Sequence, residues 1–282
     1  MKQQRSHTSR IAAMAWGSLS LALLVVEVFK AKKKNKQRQA ASPDAVYEFN
    51  AGRNFGYTVL AFAADLYAIP AILRNKPLIT PDELKQISAA SVPGIDQLAL
   101  RQDGLQKDQF KQISDQLLRS IIALFLLVMQ DQKMRADAGK LFLLYAHTHA
   151  LAYTIYSFSP LGPSYQNKYR PVVYYDALPT CEREPGNNRN SRYSGHTGNA
   201  AAATFFLAQA YADYHPGPNS RKRLGLYSLA ALPPLLLGYL RMKALKHFPT
   251  DVLMAVLIGA ACGIGVPTAY KVNRALIPGR KN

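Results

Sequence analysis

The chain has 282 residues, enough for one or two domains, and a formal net charge of +18. Two cysteines, Cys181 and Cys262, give no disulfide framework, and no zinc-finger spacing or base-stacking motif supports a nucleic-acid partner for the positive charge. A mean hydropathy near zero averages long charged loops with apolar runs, so the charge reads as membrane topology and attraction to anionic headgroups.

The first apolar run covers 11–29. A basic lead, an apolar middle and Ala40-Ala41 downstream have the outline of a signal peptide. Glu27 inside the run and the following KAKKKNKQRQ favour an uncleaved anchor instead. Residues 1–54 are therefore expected to form an amino-terminal anchor and a basic cytoplasmic segment. Six further runs follow at 55–73, 117–129, 141–158, 197–212, 224–240 and 252–270. Several reach the ~20 residues that cross ~30 Å of hydrocarbon. The runs at 117–129 and 197–212 are short, and buried helices of a soluble bundle are the alternative for those two. The expected fold is all-α, a multi-pass membrane helical bundle with six core spans over 55–270, and a basic tail at 271–282. Between the first two core runs, DELKQISAAS and KDQFKQISDQL read as amphipathic surface helices, capping a site, lying at the lipid interface or merely connecting. Asp65, His147 and His149 fall inside apolar runs, where a central Asp costs ~2.5–3.5 kcal/mol on insertion scales. Interhelical hydrogen bonding is the expected role of all three.

Two strings in the connections carry chemistry: RYSGHTG around His196 and RMKALKHFPTD from Arg241 to Asp251. His247 and Asp251 are four residues apart, so on a helical turn they share a face and can hydrogen-bond. Pro249, Thr250 and Asp251 suit a helix's first turn, so the imidazole would stand just before a helix as nucleophile or base. A helix cap is the plainer interpretation of His-x-Pro-x-Asp. Arg241 offers a forked donor for phosphate oxygens. Ser194 adds a hydroxyl, Gly195 an approachable N–H, and His196 a second imidazole placed to protonate a leaving oxygen. With Arg170-Pro171 upstream, these groups form a set suited to phosphoryl transfer through an enzyme intermediate.

The set resembles the type 2 phosphatidic acid phosphatase superfamily, whose catalytic site is shared with vanadium-dependent haloperoxidases. The family pattern is a Lys followed after six residues by Arg-Pro, then Pro-Ser-Gly-His, then Ser-Arg followed after five residues by His and after three more by Asp. Arg170-Pro171, Ser194-Gly195-His196, and Arg241, His247 and Asp251 match it in order. Three positions depart from it: Pro163 stands where the family has its lysine, Tyr193 replaces the proline and Leu240 the serine. Lys168, two residues before Arg170, is the tentative substitute for the missing cation.

The resemblance implies a membrane enzyme that hydrolyses a lipid phosphate monoester or diphosphate. His247 would attack phosphorus and form a phosphohistidine, Asp251 would orient the ring, and His196 would protonate the leaving group and later activate water. Arg170, Arg241, Ser194 and the Gly195 N–H would hold the phosphoryl oxygens, with no metal and no cofactor. A haloperoxidase-like enzyme and a non-catalytic or weakened family member are the alternatives. Run counting puts the three motifs in connections on one membrane face. The opposite connections hold Lys30, Lys32, Lys33, Lys34, Lys36, Arg38 and Arg53, then Lys133, Arg135 and Lys140, then Arg221, Lys222 and Arg223, and the tail Lys271, Arg274, Arg280 and Lys281. That bias makes the opposite side cytoplasmic. The chain is then expected in the inner membrane with its site facing the periplasm or exterior. Phosphatidic acid, phosphatidylglycerol phosphate, polyprenyl diphosphate and lipid A phosphates all fit such a site. An outward face favours the last two.

Overall fold

A computed structural model describes residues 17–31, 45–217 and 220–272. The beginning of the first apolar run (11–16), the basic run at 32–38 and the basic residues at 274, 280 and 281 lie outside the described residues. Helix α1 occupies 17–31. It is followed by α2 (Ala51–Arg74), α3 (Pro81–Gln86), α4 (Lys107–Ala123), α5 (Gln132–Ala136), α6 (Ala138–Phe158), α7 (Thr180–Arg183), α8 (Gly195–Tyr214), α9 (Ser220–Lys243) and α10 (Pro249–Tyr270). The architecture is all-helical, as expected. Among the described residues, only two isolated β-bridges, Tyr47 with Lys271 and Lys168 with Asn190, pair extended backbone.

Among the described residues, four helices are long and apolar enough to cross a membrane: α2, α4 with its 3-10 continuation to Gln130, α9 and α10. Helices α6 and α8 fall below that mark for a reason visible in their packing. Helix α8 buries fifteen of its 20 residues and packs against α10, α9, α6 and α4. Its surface meets other helices, so alanine, glycine, threonine and asparagine serve where lipid would demand leucine. Close approach needs those small residues. A Cβ on Gly259 would lie 2.1 Å from the Gly198 carbonyl oxygen, and one on Gly263 would lie 2.7 Å from that of Ala202. Helix α9 shows the opposite pattern, with Leu224, Leu229, Leu232, Leu235 and Leu236 exposed along it.

The two amphipathic strings fold differently from expectation. KDQFKQISDQL is no separate surface helix; it forms the first turns of α4 and runs on without a break into the apolar part. No glycine or proline interrupts 107–130, so the helix has no reason to stop. DELKQISAAS is helical only over Pro81–Gln86. Thr80 and Glu83 form a capping box there, and Ile87 turns to extended backbone. The string ends in the 3-10 helix Ala89–Ser91, and a second 3-10 helix, Gly94–Leu100, follows it.

The segment 75–106 caps one end of the bundle. Ile79 and Leu84 pack with Val172, Val173 and Leu245, and Val92 and Ala99 pack with Phe248. Arg189 Nη2 clamps both oxygens of Glu83 at 2.8 Å. At the other end Asp213 accepts from Tyr47 Oη (2.8 Å), Gln209 Nε2 (2.9 Å) and Lys271 Nζ (2.6 Å), tying both flanks of the bundle together. The polar residues inside the apolar runs bond between helices as expected. Asp65 accepts from Thr154 at 3.1 Å, His147 Nδ1 pairs with Thr58 at 2.9 Å, and His149 Nδ1 pairs with Asn199 at 3.1 Å.

Candidate active site

At the capped end, α9 stops and α10 starts within five residues, and this short turn sets the site. Leu245 takes a left-handed conformation (φ 55°), unfavourable for a side chain with a γ-branch. It permits the Lys246 N–H to reach back to the Arg241 carbonyl at 3.0 Å. Phe248 is extended (φ −91°, ψ 162°) and precedes α10. His247 therefore lies outside the helix that carries Asp251.

That placement corrects one expectation. The ring of His247 does not bond Asp251, because Phe248 is not helical and the two side chains do not share a helical face. Instead His247 Nδ1 lies 2.7 Å from the Ser191 carbonyl oxygen. A carbonyl can only accept, so Nδ1 carries the proton and Nε2 keeps its lone pair. Burial, with the charges of Arg170 and Arg241, holds this imidazole's pKa well below its usual value. The ring is neutral at physiological pH, the state a nucleophile requires.

Asp251 acts one residue removed. Its Oδ2 accepts from Ser191 Oγ (2.6 Å) and from the Phe248 N–H (3.0 Å), and its Oδ1 accepts from Lys168 Nζ (2.8 Å). The bond to Phe248 is a helix cap, so the plainer interpretation of the motif holds for this carboxylate. Through Ser191, the same residue also anchors the backbone that fixes His247. Lys168 is engaged as well. Its ammonium is held by Asp251, by Asp96 at 2.9 Å and by Thr250 Oγ1 at 3.0 Å, with the Phe248 ring 4.6 Å away. Two carboxylates neutralise it, so it braces the start of α10 and does not stand free for phosphate.

The other expected residues converge on the same place. Arg170 follows α6 in the long connection, where its N–H donates to the Asn188 carbonyl at 2.7 Å. The residue is 6% exposed, and its Nε is buried without a partner. Burial lowers its pKa to about 10, leaving it cationic at neutral pH. A buried cation that lacks a hydrogen-bonded anion is costly. Ser194 caps α8, its Oγ accepting from Thr197 Oγ1 at 2.9 Å, with its own hydroxyl hydrogen left to donate. Gly195 begins the helix under the Tyr156 ring, where a Cβ would sit 3.1 Å from Cε2. The N–H groups of Gly195 and His196 open α8 with no carbonyl four residues behind them in the helix, the arrangement that attracts anions.

Arg241 and His196 meet on a carboxylate that the sequence did not single out. Asp115 Oδ1 lies 3.0 Å from Arg241 Nη1 and 3.0 Å from His196 Nε2, while Oδ2 accepts from Lys111 at 3.1 Å. Ser114 Oγ adds a contact to Arg241 at 3.2 Å. The one available signal was an acid at the polar end of an apolar run. Ser191 and Asp96 offered none, since each matters only through residues sixty or more positions away.

Residues 141–275 match the family model of the PAP2 superfamily. The match runs from α6 past the end of α10 and contains Arg170, Ser194, Gly195, His196, Arg241, His247 and Asp251; α2 and the α4 residue Asp115 precede it. No curated protein and no solved structure matches the chain.

Proposed function

Because the segment 141–275 belongs to the PAP2 superfamily, a family of phosphatases and haloperoxidase-like enzymes, we propose that this chain is a membrane phosphatase. It removes phosphate from a lipid phosphate monoester or diphosphate through a phosphohistidine on His247. The observation that carries this reading is the pairing of a neutral, fixed imidazole with buried arginines. His247 Nδ1 is committed to Ser191, Nε2 is free to attack, and the Arg170 guanidinium beside it has no bonded anion.

In the first step His247 Nε2 attacks phosphorus, the bond from phosphorus to the lipid-side oxygen breaks, and that oxygen takes a proton from His196 in its imidazolium form, which the Asp115 carboxylate favours against burial and the arginines. In the second, His196 takes a proton from water, the hydroxide oxygen bonds to phosphorus, and the P–N bond breaks to release inorganic phosphate and neutral His247. Arg170, Arg241, the Ser194 hydroxyl and the N–H groups opening α8 hold the equatorial oxygens as their charge grows. Asp115 anchors both Arg241 and His196.

A lipid substrate is supported by the surface beside the site. A groove of ≈ 600 Å³ between α4 and α9, lined by Leu117, Ile121, Leu124, Leu232 and Leu236, begins two residues beyond Asp115. If α6 and α8 cross the membrane beside the four apolar helices, the site lies at one membrane face, and the Lys/Arg bias supports a periplasmic or extracellular side for it. The test is phosphate release from phosphatidic acid, phosphatidylglycerol phosphate, polyprenyl diphosphate and lipid A by detergent-purified protein. Release from at least one, abolished in both His247→Ala and His196→Ala, is expected. A folded wild-type protein inert on all four, or full activity in either variant, would overturn the proposal.

A further inference from the structure

Lys246 stands between Arg241 and His247 in the chain, yet the chemistry above gives it no task. Its backbone closes the turn onto Arg241. Its side chain is partly buried and makes no hydrogen bond or ion pair with another described residue. The charges that reach it come from three elements around the site: Arg170 of the long connection, Arg241 of α9, and Lys111 and Asp108 of α4. Three of these repel it. Asp108 attracts it, but that carboxylate is bonded to Lys107 at 3.0 Å.

The neighbouring carboxylates are committed elsewhere. Asp115 serves Arg241, His196 and Lys111. Asp96 and Asp251 hold Lys168. A half-buried ammonium among three other cations, with no anion bonded to it, is destabilising unless a ligand brings negative charge. Burial and the arginines accordingly lower its pKa to about 8. The family pattern has a lysine where Pro163 stands, and Lys168 is held by two acids, Asp96 and Asp251.

We propose that Lys246 is a phosphate-binding residue of this site, supplying from the α9–α10 turn the cation that position 163 lacks. The proposal rests on the phosphatase reading. It puts the ammonium next to the nucleophile in sequence, so that the turn which fixes His247 also delivers a charge to the oxygens of the phosphoryl group under attack. A bound phosphate would offset the repulsion among Lys246, Arg170, Arg241 and Lys111.

The test measures binding of inorganic phosphate to detergent-purified full-length protein by calorimetry, beside lipid-phosphate hydrolysis. Lys246→Gln should weaken phosphate binding about ten-fold or more, as expected for loss of one charge-assisted bond, and raise KM with it. Lys246→Arg should stay within about three-fold, since it keeps the charge. Lys168→Gln should leave phosphate affinity near wild type while lowering thermal stability. Lys246→Gln binding phosphate as tightly as wild type, or Lys168→Gln losing as much affinity as Lys246→Gln, would overturn the assignment. If Lys246→Gln does not fold, pH decides: wild-type affinity should fall relative to Lys246→Arg as pH rises through about 8, and parallel profiles would overturn it. A wild-type protein that neither binds phosphate nor hydrolyses lipid phosphates would instead overturn the phosphatase reading itself.

Discussion

Replacing Asp251 by asparagine separates a supporting carboxylate from a catalytic one. The substitution keeps the shape and removes the charge that accepts from Lys168, Ser191 Oγ and the Phe248 N–H at 2.8, 2.6 and 3.0 Å. Lys168 retains Asp96 and is partly exposed, so losing one of its two charge-assisted bonds costs ~1–2 kcal/mol, less than the full value for a buried pair. An asparagine also turns one donor toward a site that offers only donors, which adds ~1 kcal/mol. The sum of ~2–3 kcal/mol corresponds to a fall in melting temperature of about 5–10 °C for a chain of this size. Because the Ser191 carbonyl still holds His247, kcat should fall no more than about ten-fold, far from the ~10⁴ expected when a triad orienter is lost. Thermal unfolding in detergent and steady-state phosphate release measure the two effects. Unchanged stability with activity as low as in His247→Ala would refute the reasoning and put Asp251 on the ring itself.

Ser191→Ala leaves the carbonyl on His247 and removes the hydroxyl on Asp251; a loss of ~1 kcal/mol, read as roughly five-fold in kcat, is expected. Gly259→Val should destabilise the bundle severely, because even a Cβ would lie 2.1 Å from the Gly198 carbonyl, and overpacking of this kind costs ~1–3 kcal/mol or more; loss of the monodisperse peak on size exclusion reads it out. The pH dependence has a defined sign. His247 has a folded pKa well below the ordinary value of 6.5, so it stays a neutral nucleophile as pH falls through 6.5 and the acid limb of kcat/KM lies well below that value. Between those two pKa values the unfolded chain binds more protons than the folded one, so this residue's contribution to stability is full above 6.5 and declines as pH drops.

How much of this was legible in the sequence depends on the range of each interaction. The helices at 138–158, 195–214, 220–243 and 249–270 match the apolar runs to within a few residues, because hydropathy along a segment is local. Spacing singles out Arg241, His247 and Asp251, and motif order singles out Arg170, Ser194 and His196. Contacts set by tertiary packing were not legible. Asp115 reaches Arg241 across 126 positions, and nothing near it in sequence announces that. The spacing of four between His247 and Asp251 misled, because the rule for a shared face assumes continuous helix and Phe248 interrupts it. Lys168 likewise sits at a suggestive distance from Arg170, but Asp96, 72 residues away, claims it.

The covalent step on His247 is tested most directly by acid-free quench of the detergent-purified protein during turnover of a lipid phosphate, followed by peptide mass spectrometry under alkaline conditions. A phosphoryl group on His247, absent in His247→Ala and accumulating when His196 is replaced only if the first step survives, is the expected result. Steady turnover with no phosphorylated enzyme, or with the group on any residue other than His247, would contradict it.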